Sequence, residues 1–257
     1  MNKTIVVIND VCDDNGRARQ QAKCNILLGQ VPIFLGVKND LEASGEIIDQ
    51  HANLRGEPGI IIAQSAPRTT ETNKTNGTGF CYFWVENTLF ITSVKGHMLS
   101  LVRKFGLTKK VRVINSEAAL TLLNITEMKD SQFRSLEWLF EFAAYLKDGK
   151  DLPHNEVSIE DFPIANDFVW HIDEWKNHTM WGNCKLSITG AELRDLDTLS
   201  VLGKNLKIYE RLKDVPEGEL GIVRVGSSGI LGQEFAEIAV GNGNAAAELG
   251  ISVGDFI

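Results

Sequence analysis

Lys3 to Leu28 reads KTIVVINDVCDDNGRARQQAKCNILL, and its first seven residues form a short apolar run ending in polar Asn9, with Asp10 next. A buried strand delivers side chains to the carboxyl edge of a sheet in this way. Open α/β sheets bind their ligands at that edge. Asp13-Asp14-Asn15-Gly16 can cap the helix predicted by the alanines, glutamines and leucines of residues 17–28. VPIFLGV at 31–37 then reads as a second strand, Leu41 to Leu54 as a second helix, and Gly59-Ile-Ile-Ile-Ala as a third strand. Strand and helix alternate, which predicts an α/β N-terminal domain with a mostly parallel sheet covered by helices.

Working outward, residues 64–79 are rich in Ser, Thr, Asn, Pro and Gly and read as a long loop at the end of the third strand; loops of that length are usually functional or mobile. Phe80-Cys-Tyr-Phe-Trp-Val and Leu89-Phe-Ile-Thr-Ser read as strands paired around Glu86-Asn87-Thr88, and Val111-Arg-Val-Ile as another strand. Ser131 to Asp148 has the apolar spacing of one long helix, stopped by Gly149 and Pro153. The polar segment 149–166 carries Pro153 and Pro163, so the domains are placed at 1–155 and 156–257. Beyond Phe168 the short strands and turns predict a smaller all-β, barrel-like C-terminal domain.

The 257 residues suffice for one large or two modest domains with a real core. With 43% hydrophobic and 23% charged residues, disordered and fibrous classes drop out. A net charge of −8 argues against nucleic-acid or anionic-membrane partners, which need a basic surface. No apolar run approaches membrane-spanning length, and the N-terminal run is too short for a signal peptide, so the expected location is the cytoplasm. Cys12, Cys24, Cys81 and Cys184 are scattered without a CxxC pair, the pattern of reduced thiols. His171, Asp173 and His178 make only a weak metal pattern, and no metal is expected.

Leu220 to Ile257 reads LGIVRVGSSGILGQEFAEIAVGNGNAAAELGISVGDFI. Gly226, Gly229, Gly241 and Gly243 permit close backbone approach, with Ser227, Ser228, Asn242 and Asn244 beside them. Two hairpin turns in a small β domain are the plain reading. The runs Val225-Gly-Ser-Ser-Gly, Glu237-Ile-Ala-Val-Gly-Asn-Gly-Asn-Ala-Ala and Leu249-Gly-Ile-Ser-Val-Gly-Asp nevertheless resemble the C-terminal domain of the superfamily of S-adenosylmethionine hydroxide adenosyltransferases, fluorinases and chlorinases. In that family this region gives serine and main-chain contacts to the methionine and adenine ends of S-adenosylmethionine, which the resemblance carries onto Ser227, Ser228 and Val240. It further implies that Asp10 holds the ribose hydroxyls, an arrangement suited to a carboxylate that accepts two hydrogen bonds; a strand-end acid capping a turn is the alternative. Asn15 stands where relatives carry a second acid, and Arg17 could meet a carboxylate. Trp181-Gly-Asn183 resembles the family's Phe-Gly-Asn, so Trp181 is expected to stack on adenine and Asn183, or else Asn177, to read its edge. Asp173 is expected to reach the methionine amine. Relatives are trimers whose ligand lies between subunits, which implies a homotrimer with S-adenosylmethionine as substrate or ligand and no other cofactor.

The hydrolytic branch attacks with hydroxide using an Asp, an Arg and a His. Gln64, Glu71 and Arg134 stand at those places, and a neutral amide cannot take a proton from water near neutral pH. The helix start Phe133-Arg-Ser-Leu-Glu is similar to the halogenase Phe-Tyr-Ser-Arg-Glu, with Ser135 at the halide-holding serine; Thr69-Thr70 match its threonine pair, but Gln64 and Pro67 replace its pocket Tyr and Thr. Gln64, Arg134 and Ser135 are therefore the candidate catalytic positions. Three functions remain open: substitution at the ribose C5′ that cleaves S-adenosylmethionine, a non-catalytic adenosyl-binding protein on the same fold, and transfer to a halide or other anion.

Overall fold

The computed structural model describes residues 3–11, 13–65, 79–131, 133–173 and 182–257. The chain divides into two compact units, Met1–Ile164 and Ala165–Ile257.

The first unit runs β1 (Thr4–Asn9), α1 (Asp14–Leu28), β2 (Ile33–Gly36), α2 (Asp40–Leu54), β3 (Gly59–Gln64), β4 (Phe80–Val85), β5 (Thr88–Ser93), α3 (Ser100–Lys104), β6 (Lys110–Ile114), α4 (Ser116–Leu122), α5 (Arg134–Glu137), α6 (Leu139–Leu146) and β7 (His154–Ser158). Its seven strands lie in the order β2-β1-β3-β5-β4-β6-β7. The apolar runs of β1 and β3 are continuous because both faces are buried. Ile5, Val7, Ile60 and Ile62 enter one core with Cys24 and Leu28 of α1 and Phe140, Phe142 and Leu146 of α6. Val6, Ile8, Ile61 and Ala63 enter the other with Ala43 and Ile47 of α2 and Val102 of α3.

The expected mostly parallel sheet is wrong for this unit. Pairs β2-β1, β1-β3 and β3-β5 are parallel, but β5-β4, β4-β6 and β6-β7 are antiparallel, and only 29% of the protein is helix. For the β5-β4 pair the physical cause is the tight turn at Glu86-Asn87, where Glu86 adopts φ 51°. Two strands joined so closely can only pair antiparallel, whereas a parallel pair needs a long crossover. The single helix expected over 131–148 is two, α5 and α6, broken at Trp138. That indole is buried against Phe80 and Phe142 and donates from Nε1 to the Met128 carbonyl at 3.0 Å. β7 pairs with β6 along its whole length, so His154–Ser158 belongs to this sheet.

The second unit contains β8 (Val169–Ile172), β9 (Cys184–Thr189), β10 (Thr198–Val201), β11 (Lys204–Tyr209), β12 (Leu220–Val223), β13 (Gly229–Ile230), β14 (Gln233–Val240) and α7 (Ala245–Leu249). The strand order is β10-β11-β12-β14-β9-β8, with β13 added to β14. Apart from α7 this unit is built of strands, as expected, and its sheet is mixed, parallel at β11-β12 and antiparallel elsewhere, running from β10 to β8. Ala236, Ile238 and Val240 of β14 join Leu186 and Ile222 in its core. Strand alternation turns Glu237 to the opposite face. Among the described residues no helix is long and apolar enough to cross a membrane.

Burial pushes the Cys24 thiol up to about 11 and those of Cys81 and Cys184 up to about 12, the latter also raised by the charges of Asp173 and Glu237. A thiol that stays protonated in the fold but ionises near 9 in the unfolded chain favours folding only while both forms hold the proton. Stability fully present below about pH 9 is therefore expected to fall as pH rises from there toward 12. Peptide mapping after iodoacetamide treatment at pH 8 should find these three cysteines unmodified in the folded protein and modified in urea; labelling of the folded chain would refute their burial.

Candidate functional site

In the first unit the carboxyl edge of the sheet brings Asn9 and Gln64 side by side, because β1 and β3 pair in parallel with Asn9 opposite Gln64. Asn9 is buried; its Nδ2 donates to Gln20 Oε1 at 2.6 Å, and its Oδ1 accepts from the Val11 amide at 3.1 Å. The second bond turns the chain out of β1, and Asp13 caps α1 by accepting from the Gly16 amide. Gln20 shares the buried stripe of α1 with Cys24 and Leu28, one turn apart. Ser135 of α5 and Phe140 of α6 close the space above Asn9, Gln20 and Gln64, leaving a cavity of about 10 Å³. That is room for one water-sized group.

The cavity thus contains Gln64 and Ser135, both expected from the sequence. Asn9, which the sequence places at the ligand-binding edge of the sheet, lines it too, together with Gln20, to which the sequence assigned no role. The signal for Gln20 was an amide on an otherwise apolar i, i+4 stripe. Arg134 adjoins Ser135 and lays its guanidinium over the Trp138 ring at 4.9 Å. Asp10 is half-buried at the end of β1, Asn15 is exposed in the first turn of α1, and Arg17 is half-buried there. These three share the strand end and helix start but do not line the cavity. Pro67, Arg68, Thr69, Thr70 and Glu71 lie outside the described residues.

In the second unit the polar groups converge on Glu237, which is 4% exposed. Its Oε1 accepts from the Ser227 amide at 2.6 Å and from the Ser227 hydroxyl at 2.7 Å. Its Oε2 faces Asn183 Nδ2 at 3.4 Å. A buried carboxylate needs such donors, since its desolvation is otherwise uncompensated. Gly226 lets the turn come this close, because any side chain there would meet the Phe235 carbonyl and the Glu237 carboxylate. Gly182 similarly passes under Asn244, whose Oδ1 caps α7, and the Gly182 carbonyl accepts from the Ala246 amide at 3.0 Å. Asn183 is therefore held from both sides.

Asp173 donates its amide to the Asn183 carbonyl, and its carboxylate lies 3.4 Å from Lys185 Nζ and 3.7 Å from His171 Nε2. Lys185 in turn sits 5.4 Å over the Trp170 ring. Ser227 is exposed and Ser228 buried, while the Val240 side chain belongs to the core and leaves only its backbone for a ligand. Trp181, Asn177 and His178 lie outside the described residues. Glu237 is the central residue that sequence reasoning missed. Its signal was a charge at an alternate position of an otherwise apolar strand.

Seven buried side-chain polar atoms lack a hydrogen-bond partner among the described residues. Four of them are Gln64 Oε1, Arg134 Nε, Asn183 Oδ1 and Ser228 Oγ.

No family model matches the chain, and no curated protein matches it. Solved structures do. An uncharacterized conserved protein from Thermotoga maritima superposes with a TM-score of 0.70 at 18% identity, over 98% of both chains. A conserved hypothetical protein from Thermus thermophilus superposes with a TM-score of 0.65 at 16% identity, over 98% of this chain and 97% of its own. The likeness establishes the fold over nearly the whole chain.

Proposed function

We propose that the protein binds S-adenosylmethionine and substitutes at its ribose C5′, releasing methionine. The observation that carries this reading is the first unit's cavity, which brings together Gln64 and Ser135, two residues that the resemblance assigns to the reaction, and holds the unpaired Gln64 Oε1. In this reading Asp10 accepts from the ribose hydroxyls, Asn183 reads the adenine edge, and Ser227 and Ser228 serve the methionine end. The lysine already paired with Asp173 makes that carboxylate a shared anchor rather than a dedicated ammonium ligand.

The cavity beside Gln64 and Ser135 would hold the nucleophile. Its oxygen attacks C5′ as the C5′–S bond breaks, the bonding pair leaves with the methionine sulfur, and the water proton passes to solvent. Among the described residues the cavity lining includes no carboxylate or imidazole, so in this reading alignment and exclusion of bulk water supply the rate. That same lack of a base favours the second reading, a binding protein with the pocket but not the reaction. Ser135 motivates an anion in place of water. By resemblance the proposal extends to a homotrimer, which light scattering would test.

Incubation with S-adenosylmethionine, with and without chloride, should yield methionine and adenosine in equal amounts on chromatography; a 5′-chloro product would identify the anion reaction. Calorimetric binding without any methionine would select the binding protein. Neither binding nor turnover would overturn the adenosyl assignment.

A further inference from the structure

We propose that the first unit has a second binding site, at the amino edge of its sheet, that takes a small aliphatic α-amino acid as the zwitterion. The inference is independent of the adenosyl reading above.

β1 and β3 pair from Thr4 opposite Gly59 to Asn9 opposite Gln64. The cavity of Gln64 and Ser135 lies at the second end. Ile5 is four positions back from Asn9, about 13 Å along the strand, and pairs with Ile60. These two isoleucines line a separate hollow of about 220 Å³ with Leu28, Lys3, Lys147 and Asp148. Pockets that take drug-sized ligands run to about 300–1,000 Å³, so this one suits a smaller molecule and is short of room for an adenosyl compound.

The fold brings both signs of charge to this hollow. α1 ends at Gly29 and α6 at Lys147. Lys147 Nζ donates to the Leu27 carbonyl of α1 at 3.2 Å, and Lys3 Nζ donates to the Lys147 carbonyl at 3.3 Å. Each lysine thus caps the carboxyl end of a helix, where a cation is favoured. The cap on α1 uses one of the three protons of the Lys147 ammonium. The two helix ends carry about half a negative charge each, and with the Asp148 carboxylate they balance the two ammoniums. Positive and negative groups therefore stand in one small hollow whose sum is near zero. A simple anion or cation meets an opponent there as well as a partner, whereas a zwitterion meets a partner at both ends. The α-carboxylate of an amino acid accepts from Lys147 in a charge-assisted bond. Its ammonium donates to Asp148, whose carboxylate otherwise lies in a long ion pair, 4.0 Å from Lys150 Nζ. An aliphatic side chain then covers the apolar floor of Ile5, Leu28 and Ile60.

The experiment is calorimetric titration of the full chain with leucine, with 4-methylpentanoate, which lacks the ammonium, and with 3-methylbutylamine, which lacks the carboxylate. Leucine should bind, and each analogue should bind at least about tenfold more weakly. Lys147→Met keeps the apolar stem without the charge and should weaken leucine at least about tenfold. Asp148→Asn, at an exposed position, should weaken leucine by a similar factor while 4-methylpentanoate binds no more weakly than before. It carries the test should Lys147→Met not fold. A chain that does not bind leucine at millimolar concentration overturns the proposal. So does a leucine affinity equal in the parent and in either folded variant, which would place the amino acid elsewhere, such as at the Ser227 turn. Either failure leaves the adenosyl reading standing, because S-adenosylmethionine itself tests that reading.

Discussion

Phe140→Ala is expected to destabilise the first unit by about 3–5 kcal/mol, the usual cost of truncating a fully buried phenylalanine. Phe140 is 1% exposed and packs in the core shared by α1, α6, β1 and β3. It also forms a wall of the cavity that holds Gln64 and Ser135. Removing its ring leaves a void that close-packed neighbours fill only in part. The void joins a space now sized for one small group, so the variant should lose both stability and any turnover that depends on excluding bulk water. Urea unfolding followed by circular dichroism measures the first effect. Phe140→Leu, which keeps most of the apolar volume, should recover more than half of the loss. A cost below about 1 kcal/mol for the alanine variant would show that this wall does not pack as described.

Gly226→Ala should disable the second unit's site. The added methyl would meet the Phe235 carbonyl and the Glu237 carboxylate, so the turn must retreat. Retreat breaks the two bonds from Ser227 to Glu237 and leaves a buried carboxylate short of donors. Buried groups deprived of partners cost about 1–3 kcal/mol each, more when charged. Adenosine affinity is expected to fall at least about tenfold, together with a lowered melting transition. Ser227→Ala, which keeps the backbone donor and loses only the hydroxyl, should produce a smaller drop. Equal affinities for the parent and the Gly226→Ala variant would remove the Ser227 turn from the site.

Local chemistry explains which parts of the site could be read from the chain. Asp13 caps α1 as expected because an Asx cap is a contact between residues three apart. Ser135 and Gln64 were found through a resemblance in short motifs, and the fold then placed both on one cavity. Gln20 and Glu237 were missed because their meaning lies in partners that only folding brings close: Gln20 meets Asn9 across a strand-to-helix turn, and Glu237 meets Asn183 across 54 positions. Nothing in the neighbourhood of either residue announces that pairing.

Local periodicity was enough to place β1, α1, β2, α2, β3 and the β4-β5 hairpin, whereas α3, α4, β7 and the strands of the second unit had no bounds in the sequence. Strand runs such as Ile5–Ile8 and helix stripes such as Gln20-Cys24-Leu28 are periodicities written within a few turns or pleats. The sequence by itself also determined the polar groups available at the strand end and in the glycine-rich turns. Packing between distant segments put β4 between β5 and β6, made half the pairings of the first sheet antiparallel, and gave a mixed second sheet that runs from β10 to β8. Strand order and direction follow from which distant segments bury each other best and from how tightly consecutive strands are joined. Burial likewise separated Asn183 and Glu237 from the other polar residues of their strands, because the need for a hydrogen-bond partner arises only once water has been excluded.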